Sequence, residues 1–455
     1  MNNIDILKTR KAELNEKTAN VKKNINKIID EGSFVELNAF SFVKNEFYGD
    51  GVDGLGVVTG YATVDGYPVY VVAQNPDVMG GGLSKANCAK ICECLYKAGN
   101  SELPVIYLLS SKGVQVGEGV AVLEGVAELL RVSNNLKDVA PQFAIAVGDV
   151  LGSSAILADN ADFTFVVGNA CVSYASPVVI SATKNGETKD TVAKAKNGVK
   201  TFEVKELEEV KDKIIKILTT LPKFSELQAE TNDDLNRSCP ALNAGADVEG
   251  LINATFDAGS FVAMNEDYVS DVKVGFGRIG GISSASVIMG GGDNGVDLTL
   301  DVVLKIKNFV NFALDNALPL VFFVNANGIK QDVDTCNSAV MTELMNMLGA
   351  LSQARRVTVV YGKAIGLGYT AFASKAFGSD YTYAFAGSKI SLMDGFAGIS
   401  ATFGTVDNEK LSELQEKYVE NQDSFNSAKL GCVDNVIEPE FVRQYVISAL
   451  QMILN

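Results

Sequence analysis

The sequence predicts an α/β protein built from two tandem copies of one domain. The first observation is the length, because 455 residues exceed the roughly 250–300 residues at which a single hydrophobic core stops growing. The second is that short apolar segments typical of strands alternate with amphipathic segments typical of helices. The third is that several motifs of the first half return in the same order in the second half.

The recurring motifs indicate a duplication. The segment Asp30–Asn38 (DEGSFVELN) returns as Asp257–Asn265 (DAGSFVAMN). The apolar run that starts at Pro104 (PVIYLLSS) returns at Pro319 (PLVFFVNA), which is an offset of 215 residues. Similarity over such a long offset indicates two copies of a whole domain rather than a series of short repeats.

Within the first copy the pattern is strand, helix, strand. Tyr67–Gln74 and Pro104–Leu109 are apolar, β-branched runs that predict buried strands. Between them, Ser84–Gly99 has apolar residues at helical spacing, with Ser84 as the predicted N-cap and Gly99 as the predicted stop. The second copy repeats this order over 284–289, 301–316 and 319–324. Two strands joined by a crossover helix form the βαβ unit of a parallel sheet.

A segment rich in Lys and Glu, Thr183–Asp247, separates the two copies. Within it, Glu206–Thr220 (ELEEVKDKIIKILTT) is amphipathic and predicts a surface helix, while the remainder predicts a linker. We therefore divide the chain into an N-terminal domain of residues 1–240, which includes an N-terminal helix and the linker, and a C-terminal domain of residues 241–455.

Charge and composition limit the partners and the compartment. A formal net charge of -16 argues against nucleic acid, which requires a basic face, and against an anionic membrane surface. The first thirty residues are charged and helix-like, so we expect no secretory signal. The apolar runs are shorter than the roughly 20 residues that span a membrane. The seven cysteines lack paired spacing, and we expect buried, reduced thiols in the cytoplasm.

The sequence contains no histidine and no tryptophan. The absence of histidine excludes a Ser-His-Asp triad, a Cys-His dyad, a zinc site with histidine ligands and an imidazole base. Any chemistry must therefore depend on backbone amides, carboxylates, Lys, Tyr, Ser or the substrate itself.

Glycine clusters follow several predicted strands and give the candidate binding loops. In the first copy they are Met79–Gly82 and Gly148–Ser153, and in the second copy Met289–Asp293 and Gly366–Tyr369. Glycines allow the backbone to approach a ligand, and a helix that starts there points free amides at an anion. Two such amides on one oxygen form an oxyanion hole, worth about 3–4 kcal/mol per donor. Tight turns or close helix packing would equally account for these glycines.

Other polar residues near these loops could take part in binding or catalysis, or could have a purely structural role. Aspartates there are either carboxylate participants or caps and turns; they are Asp149, Asp162, Asp380 and Asp394. Lys112 and Lys363 would face an anionic ligand or are ordinary exposed lysines. Tyr369 either lines a pocket or fills the core.

Further motifs follow one another in a characteristic order. They are Ile29–Glu36, Gly80–Ser84, Ala89–Ile91, Gly117–Gly119, Pro141–Gln142 with Gly148, Asp233–Asp234 with Arg237, Val274–Arg278, and Gly431–Pro439 with Arg443. This order resembles the biotin-dependent carboxyltransferase family from about Asn24 to the end of the sequence. The family comprises the β subunits of propionyl- and acetyl-CoA carboxylases, the transcarboxylase large subunit, and the α subunits of methylmalonyl- and glutaconyl-CoA decarboxylases.

The resemblance implies two tandem crotonase-like domains without a metal. Family members are homodimers or homohexamers with the active site between the N half of one subunit and the C half of another. Acyl-CoA lies mainly on the N half, and biotin, carried on a separate protein, lies on the C half. By position, the amides of Gly152 and Ser153 would hold the thioester oxygen, and those of Leu367 and Gly368 the ureido oxygen of biotin. Substrate contacts are expected from Gly80, Gly81, Gly82, Gly113, Gly148, Gly366, Tyr369 and Thr370.

Several loops depart from the family pattern. Ser111–Gln115 (SKGVQ) stands where the family usually has Ser-Gly-Gly-Ala-Arg, and Gly152-Ser153 where it has Gly-Gly. Gly366–Gly368 (GLG) replaces Gly-Gly-Ala, and Thr370 occupies the place of a residue that often selects the acyl group. A backbone amide donates whatever its side chain is, so these changes leave oxyanion holes possible and the acyl group undefined.

Three functions are compatible with these observations. The first is carboxyl transfer between carboxybiotin on a carrier protein and an acetyl-, propionyl-, methylmalonyl- or glutaconyl-type CoA ester, with a biotin carboxylase or a membrane decarboxylase subunit as a further partner. The reaction needs no histidine, because the carboxyl group leaves as CO2 and the anion that remains is its own base. The second is a divergent acyl-CoA-binding or scaffold subunit. The third is another crotonase-type reaction, such as thioester hydrolysis.

Overall fold

The computed structural model describes residues 2–43, 52–137, 139–175, 201–393, 398–401, 414 and 422–454. The chain divides into two compact units, Met1–Ile215 and Lys216–Asn455. The predicted N-terminal domain of residues 1–240 ends inside the second unit, and this partition remains a prediction about domain organisation. The candidate Asp394 lies outside the described residues.

The first unit contains one large sheet with helices on it. Its strands are β1 (Val35–Leu37), β2 (Phe42–Val43), β3 (Val52–Asp53), β4 (Val57–Val64), β5 (Tyr67–Gln74), β6 (Val105–Ser111), β7 (Gln142–Leu151), β8 (Phe163–Val167), β9 (Val172–Ser173) and β10 (Thr201–Val204). Its helices are α1 (Asn3–Lys17), α2 (Ala19–Ile28), α3 (Lys85–Ser101), α4 (Val120–Asn135), α5 (Ser153–Asn160) and α6 (Leu207–Thr220), which runs past the unit boundary.

The sheet of the first unit runs β1-β4-β5-β6-β7-β8-β10, with β9 paired to β7. The β1-β4-β5 part is antiparallel, and the strands from β5 to β10 are parallel. Helices α3 and α4 bury apolar side chains such as Leu95 and Leu129 in one core with the sheet residue Tyr107. Because the strand ends of a parallel sheet lie along one edge, the loops after β5, β6 and β7 come together there.

The second unit repeats this architecture. Its strands are β11 (Val262–Met264), β12 (Val272–Ile279), β13 (Ile282–Met289), β14 (Val296–Leu298), β15 (Leu320–Ile329), β16 (Arg356–Ile365), β17 (Tyr381–Phe385), β18 (Lys389–Ser391) and β19 (Asn435–Ile437). Its helices are α7 (Val248–Thr255), α8 (Leu300–Asp315), α9 (Val333–Asn337), α10 (Val340–Leu351), α11 (Leu367–Phe372), α12 (Ser424–Lys429) and α13 (Val442–Leu454). The sheet order is β11-β12-β13-β15-β16-β17-β19.

Both sheets contain the same irregularity. In the first unit, the pairing of β6 with β7 shifts between Leu109 and Ser111. In the second, the pairing of β15 with β16 shifts between Val324 and Ala326. The shifts lie at equivalent positions, 215 residues apart, just before the strand ends that carry the glycine loops. A bulge of this kind changes the direction of a strand and is common next to active sites.

The predicted secondary structure is largely confirmed, with two corrections. The βαβ pattern, the Ser84 N-cap and the amphipathic helix α6 are present, and Ser84 accepts a hydrogen bond from the Asn87 amide at 3.1 Å. Gly99 does not end its helix, which continues to Ser101 and closes at Glu102 in a left-handed conformation. Gly148 lies within β7 rather than in a loop, because β7 extends to Leu151 and pairs there with β9.

The recurring aspartates Asp30 and Asp257 hold equivalent hairpin turns. Asp30 accepts hydrogen bonds from the Asp65 and Gly66 amides at 2.9 Å each, at the β4–β5 turn. Asp257 accepts from the Gly280 and Gly281 amides at 2.8 Å each, at the β12–β13 turn. The repeated motif is therefore structural, since one carboxylate satisfies two turn amides in each copy.

The helices and the cysteines bear on two further expectations, about membrane spans and about buried thiols. No helix in the described part is long and apolar enough to cross a membrane. The expectation that the cysteines are buried is correct for Cys88, Cys92, Cys94 and Cys171 and wrong for Cys336, which is exposed.

Candidate functional site

The first candidate site lies where β7 passes into α5. Gly152 has φ +61°, a conformation that favours glycine, and it is the N-cap of α5. The amide of Gly152 donates to the carbonyls of Ser173 and Tyr174 at 3.1 Å each. The next two amides, of Ser153 and Ser154, have no acceptor among the described residues. These are the first two N–H groups of α5, and together they can bind one negatively charged oxygen.

The two free amides differ from the pair that was predicted to form the oxyanion hole. The amide of Gly152 was expected to hold the thioester oxygen together with that of Ser153. In the structure, the Gly152 amide instead holds the turn against the last residue of β9, Ser173, and the residue after it, Tyr174. The pair of free donors is therefore Ser153 and Ser154, one position further along the chain.

The predicted glycine residues of the first unit converge on this turn. The Cα of Gly113 lies 3.5 Å from the position that a Cβ on Gly152 would occupy. Four neighbouring glycines pack so closely against the end of β6 and the segment after it that a Cβ on any of them would clash. Their contacts are Gly80 with Lys112, Gly81 and Gly148 with Ser110, and Gly82 with Gln115. The close approach of these loops thus depends on the absence of side chains.

The second candidate site lies where β16 passes into α11. Gly366 has φ +53° and is the N-cap of α11, and its amide donates to the Ser391 carbonyl at 2.9 Å. The amides of Leu367 and Gly368 have no acceptor among the described residues. Gly366, Leu367 and Gly368 therefore match Gly152, Ser153 and Ser154 in both conformation and free donors.

The side chains of α11 differ in their roles. Leu367 is 37% exposed beside its free amide. The hydroxyl of Tyr369 donates to the Cys432 carbonyl at 3.1 Å, and partial burial raises the pKa of this phenol above its ordinary range. Thr370 is exposed and its hydroxyl donates to the Gly366 carbonyl at 3.3 Å within the helix. Tyr369 thus secures α11 to the segment before β19, and Leu367 and Thr370 face solvent.

Asn325 supports the glycine loop of the second unit. Its side-chain nitrogen donates to the Gly290 and Gly292 carbonyls at 2.8 and 2.7 Å. Its side-chain oxygen accepts from the Lys363 amide at 3.0 Å. This residue stands at the bulge of β15, where a ladder partner is lost, and its amide group supplies the missing hydrogen bonds.

The candidate aspartates have structural partners. Asp162 accepts from the Gln142 amide and Asp380 from the Arg356 amide, each at 2.8 Å, so both lie at the opposite ends of β7 and β16 from the sites. Asp149 accepts from the thiol of Cys171 at 3.2 Å, and burial raises the pKa of that thiol to about 11. A protonated thiol is a poor nucleophile, which disfavours covalent catalysis by Cys171.

The two candidate lysines behave differently. The stem of Lys112 lies along Gly80 and its side chain is exposed, with no carboxylate partner among the described residues. The ammonium of Lys363 is near the Asn294 carbonyl at 3.5 Å. Of these two lysines, only Lys112 has an ammonium group without a hydrogen-bond partner among the described residues.

Sequence reasoning did not identify two buried amide side chains, Gln74 and Asn325. Gln74 was the last residue of a predicted strand, and Asn325 came directly after the predicted strand 319–324; neither was proposed as a site residue. Polar residues at the last positions of otherwise apolar strands were the available signal, because such residues are rarely buried without specific hydrogen bonds.

Comparison with known proteins gives a consistent result. The family model described as carboxyl transferase domain matches residues 14–455. The chain is 29% identical over 462 residues to the propionyl-CoA carboxylase carboxyltransferase subunit of Haloferax mediterranei, covering 95% of this chain and 90% of that protein. It is also 29% identical over 462 residues to the methylmalonyl-CoA decarboxylase subunit alpha of Veillonella parvula, covering 95% and 89%.

A solved structure extends the similarity to the fold. The transcarboxylase 12S hexamer, with methylmalonyl-coenzyme A and methylmalonic acid bound, superimposes with a TM-score of 0.86 at 25% identity. The match covers 99% of this chain and 94% of the other.

Proposed function

The chain belongs to the carboxyl transferase domain family, and on that premise we propose that it is the carboxyltransferase component of a biotin-dependent acyl-CoA carboxylase or decarboxylase. Its fold is that of two tandem crotonase-like α/β domains, as predicted. The proposed substrates are an acyl-CoA of the acetyl, propionyl, methylmalonyl or glutaconyl type and biotin on a separate carrier protein.

The observation that carries the proposal is the pair of equivalent helix starts. Each unit has two adjacent amides without an acceptor in the described part of the chain, at Ser153 and Ser154 and at Leu367 and Gly368. Carboxyl transfer involves two carbonyl oxygens that gain negative charge, one on the thioester and one on the biotin ring. Two preorganised amide pairs match this requirement, and each donor is worth about 3–4 kcal/mol to the transition state.

The reaction has a simple balance. In the direction of carboxylation, the carboxyl group would pass from a ureido nitrogen of biotin to Cα of the acyl thioester, and the Cα proton would pass to that nitrogen. Decarboxylation of the acyl-CoA is the reverse. Ser153 and Ser154 would hold the thioester oxygen on residues 1–240, and Leu367 and Gly368 would hold the ureido oxygen on residues 241–455. No imidazole takes part, since the chain has no histidine.

The fit of biotin rests on this donor set. A ureido oxygen needs hydrogen-bond donors, and the free amides of Leu367 and Gly368 supply two. The other proposed contacts come from residues that carry no carboxylate. The proposed contact residues are Gly80, Gly81, Gly82, Gly113, Gly148, Gly366, Tyr369 and Thr370.

The proposal includes partners and a compartment. A carrier protein would present biotin, and a biotin carboxylase or a membrane decarboxylase subunit would complete the cycle. We propose a homodimer or a homohexamer, supported by the hexameric state of the similar transcarboxylase 12S. We place the protein in the cytoplasm, peripheral to the membrane if the partner is a decarboxylase.

The test is a carboxyl-transfer assay with free biotin. Purified protein is incubated with malonyl-, methylmalonyl- or glutaconyl-CoA, and the CoA esters are followed by mass spectrometry. We expect biotin-dependent loss of the carboxyl group from at least one ester, which would also define the acyl group. Binding of the esters without biotin-dependent loss would instead indicate an acyl-CoA-binding subunit, and loss without biotin would indicate another crotonase-type reaction.

A further inference from the structure

Gln74 is a buried side chain beside the first site with two specific partners. It is the last residue of β5 and is only 2% exposed. Its side-chain nitrogen donates to the hydroxyl oxygen of Ser154 at 3.1 Å. Its side-chain oxygen accepts from the Ser110 amide at 3.2 Å. One amide group therefore links the end of β6 to the first turn of α5.

Both partners of Gln74, Ser110 and Ser154, lie at positions that shape the site. Ser110 lies at the shift in pairing between β6 and β7, where the regular ladder is interrupted. Ser154 is fully buried and provides one of the two free amides at the start of α5. Holding the Ser154 side chain restricts its backbone as well, because the hydroxyl is only two bonds from Cα. Gln74 thus fixes the direction of a free amide relative to the neighbouring loop.

The second unit also has a buried amide side chain at the bulge, with different partners. The residue equivalent to Ser110, 215 positions later, is Asn325, which carries the amide side chain itself. The residue equivalent to Gln74 is Met289, which has no side-chain amide. A buried amide group is thus found at the bulge in both copies but is supplied from different strands.

We propose that Gln74 is a positioning residue for the oxyanion hole of the first unit, acting through Ser154 on the amides that hold the thioester oxygen. The inference rests on the proposed function for the nature of the ligand. It does not require Gln74 to contact the substrate.

The experiment compares Gln74→Leu, Ser154→Ala and the double variant with the wild-type protein. Leucine has a similar volume but neither donor nor acceptor. We expect Gln74→Leu to lower kcat for biotin-dependent carboxyl loss by roughly 10–100-fold, as for other small displacements of catalytic groups, with a smaller change in KM. Because the two residues act as one unit, the double variant should lose little more than the more impaired single variant.

A matched control separates positioning from general destabilisation. Gln142 is also a fully buried glutamine of the first unit, and it bonds to Tyr107 and Ser133 at the opposite end of β7 from α5. Gln142→Leu should lower the melting temperature without the selective loss of kcat. Wild-type kcat in folded Gln74→Leu, or losses in the double variant that multiply, would overturn the inference.

A binding measurement keeps this test independent of turnover. Calorimetry compares propionyl-CoA with S-propyl-CoA, a thioether that lacks the carbonyl oxygen. The wild-type protein should bind the thioester more tightly, and Gln74→Leu should reduce this preference several-fold. If the wild-type protein transfers no carboxyl group but keeps the preference, the proposed function fails while the positioning role is still tested by Gln74→Leu. If Gln74→Leu keeps the full preference, the positioning role fails.

Discussion

Lys90 and Lys305 occupy the same position in the two copies, 215 residues apart, and both ammonium groups are buried against backbone carbonyls. Lys90 donates to the carbonyls of Gly54 and Val57 at 3.0 and 2.6 Å. Lys305 donates to those of Asn265 and Tyr268 at 2.9 and 2.5 Å. In the described part of the chain neither forms an ion pair with a carboxylate. Burial lowers the pKa of each lysine to about 8.

Because these lysines are buried, we predict that the stability difference between the wild-type protein and a variant without one of them depends on pH. Between pH 8 and 10.5 the unfolded chain keeps a proton on Lys90 that the folded chain releases, so this lysine makes stability rise with pH. We expect the free energy of unfolding of the wild-type protein, minus that of Lys90→Met, to increase through this window by up to about 1.4 kcal/mol per pH unit. Urea titrations at pH 7 and pH 9.5 measure it.

Lys97 provides the control for this prediction. It lies on the same helix, is exposed, and pairs with Glu93 at 3.5 Å on the surface. Since exposed pairs contribute about 0–1 kcal/mol, the corresponding difference for Lys97→Met should stay flat over the same pH range. A flat difference for Lys90→Met as well would show that its ammonium is not affected by burial as described.

Asp30 should contribute to the stability of the first unit at neutral pH, and this contribution should be lost in acid. The Gly66 amide, more than its other partners Thr63 and Lys211, holds the pKa of this carboxyl well below its usual range. Its contribution is therefore complete above the unfolded pKa of 3.8 and disappears as the pH falls further. We expect Asp30→Asn to reduce the free energy of unfolding at pH 7 by about 1–2 kcal/mol, and the difference to shrink below pH 3.8.

The exposed neighbour Glu31 tests the specificity of this effect. Glu31→Gln removes one negative charge from the adjacent position. Its effect should stay within about 0.5 kcal/mol at pH 7. An equal loss of stability in both variants would attribute the effect to local charge rather than to the hairpin contacts of Asp30.

The sequence allowed the duplication, the βαβ pattern and the glycine clusters that precede both helix starts to be predicted, because periodicity and glycine spacing can be recognised directly in the sequence. The hydrogen bonding of the Gly152 amide was not predictable, since its acceptors, Ser173 and Tyr174, lie at and just after the end of β9, which pairs with β7 only in the folded chain. The extension of β7 past Gly148 was missed for the same reason. Such features depend on register between distant segments, which composition and periodicity do not report.

Gly81 should be far less tolerant of a side chain than another glycine of similar conformation. It has φ +68° and a Cβ there would overlap the Ser110 carbonyl oxygen, whereas Gly66 has φ +80° with open space around it. Both alanine variants incur the cost of a left-handed backbone, but only Gly81→Ala also displaces the loop. We expect Gly81→Ala to lose about 1–3 kcal/mol more than Gly66→Ala in urea unfolding. Equal losses would contradict the close packing of the two loops.

The free amides can be deleted one at a time with proline. Ser153 and Leu367 are the first residues of α5 and α11, a position where proline is well tolerated and removes only the N–H group. Ser153→Pro should lower kcat in the carboxyl-transfer assay by about 10²–10³-fold, as for other single oxyanion donors. Ser153→Ala keeps the N–H, so the ratio of the two rates isolates the amide from the hydroxyl.

The same substitution in the second unit distinguishes the two sites. Leu367→Pro should cause a loss of similar size in carboxyl transfer but leave the preference for propionyl-CoA over S-propyl-CoA, because that preference is assigned to the amides of Ser153 and Ser154. Ser153→Pro should abolish the preference. If Leu367→Pro removed it and Ser153→Pro did not, the assignment of the thioester oxygen to the first unit would be reversed. If both removed it, the two amide pairs would act on the thioester together, and the division between an acyl-CoA half and a biotin half would be wrong.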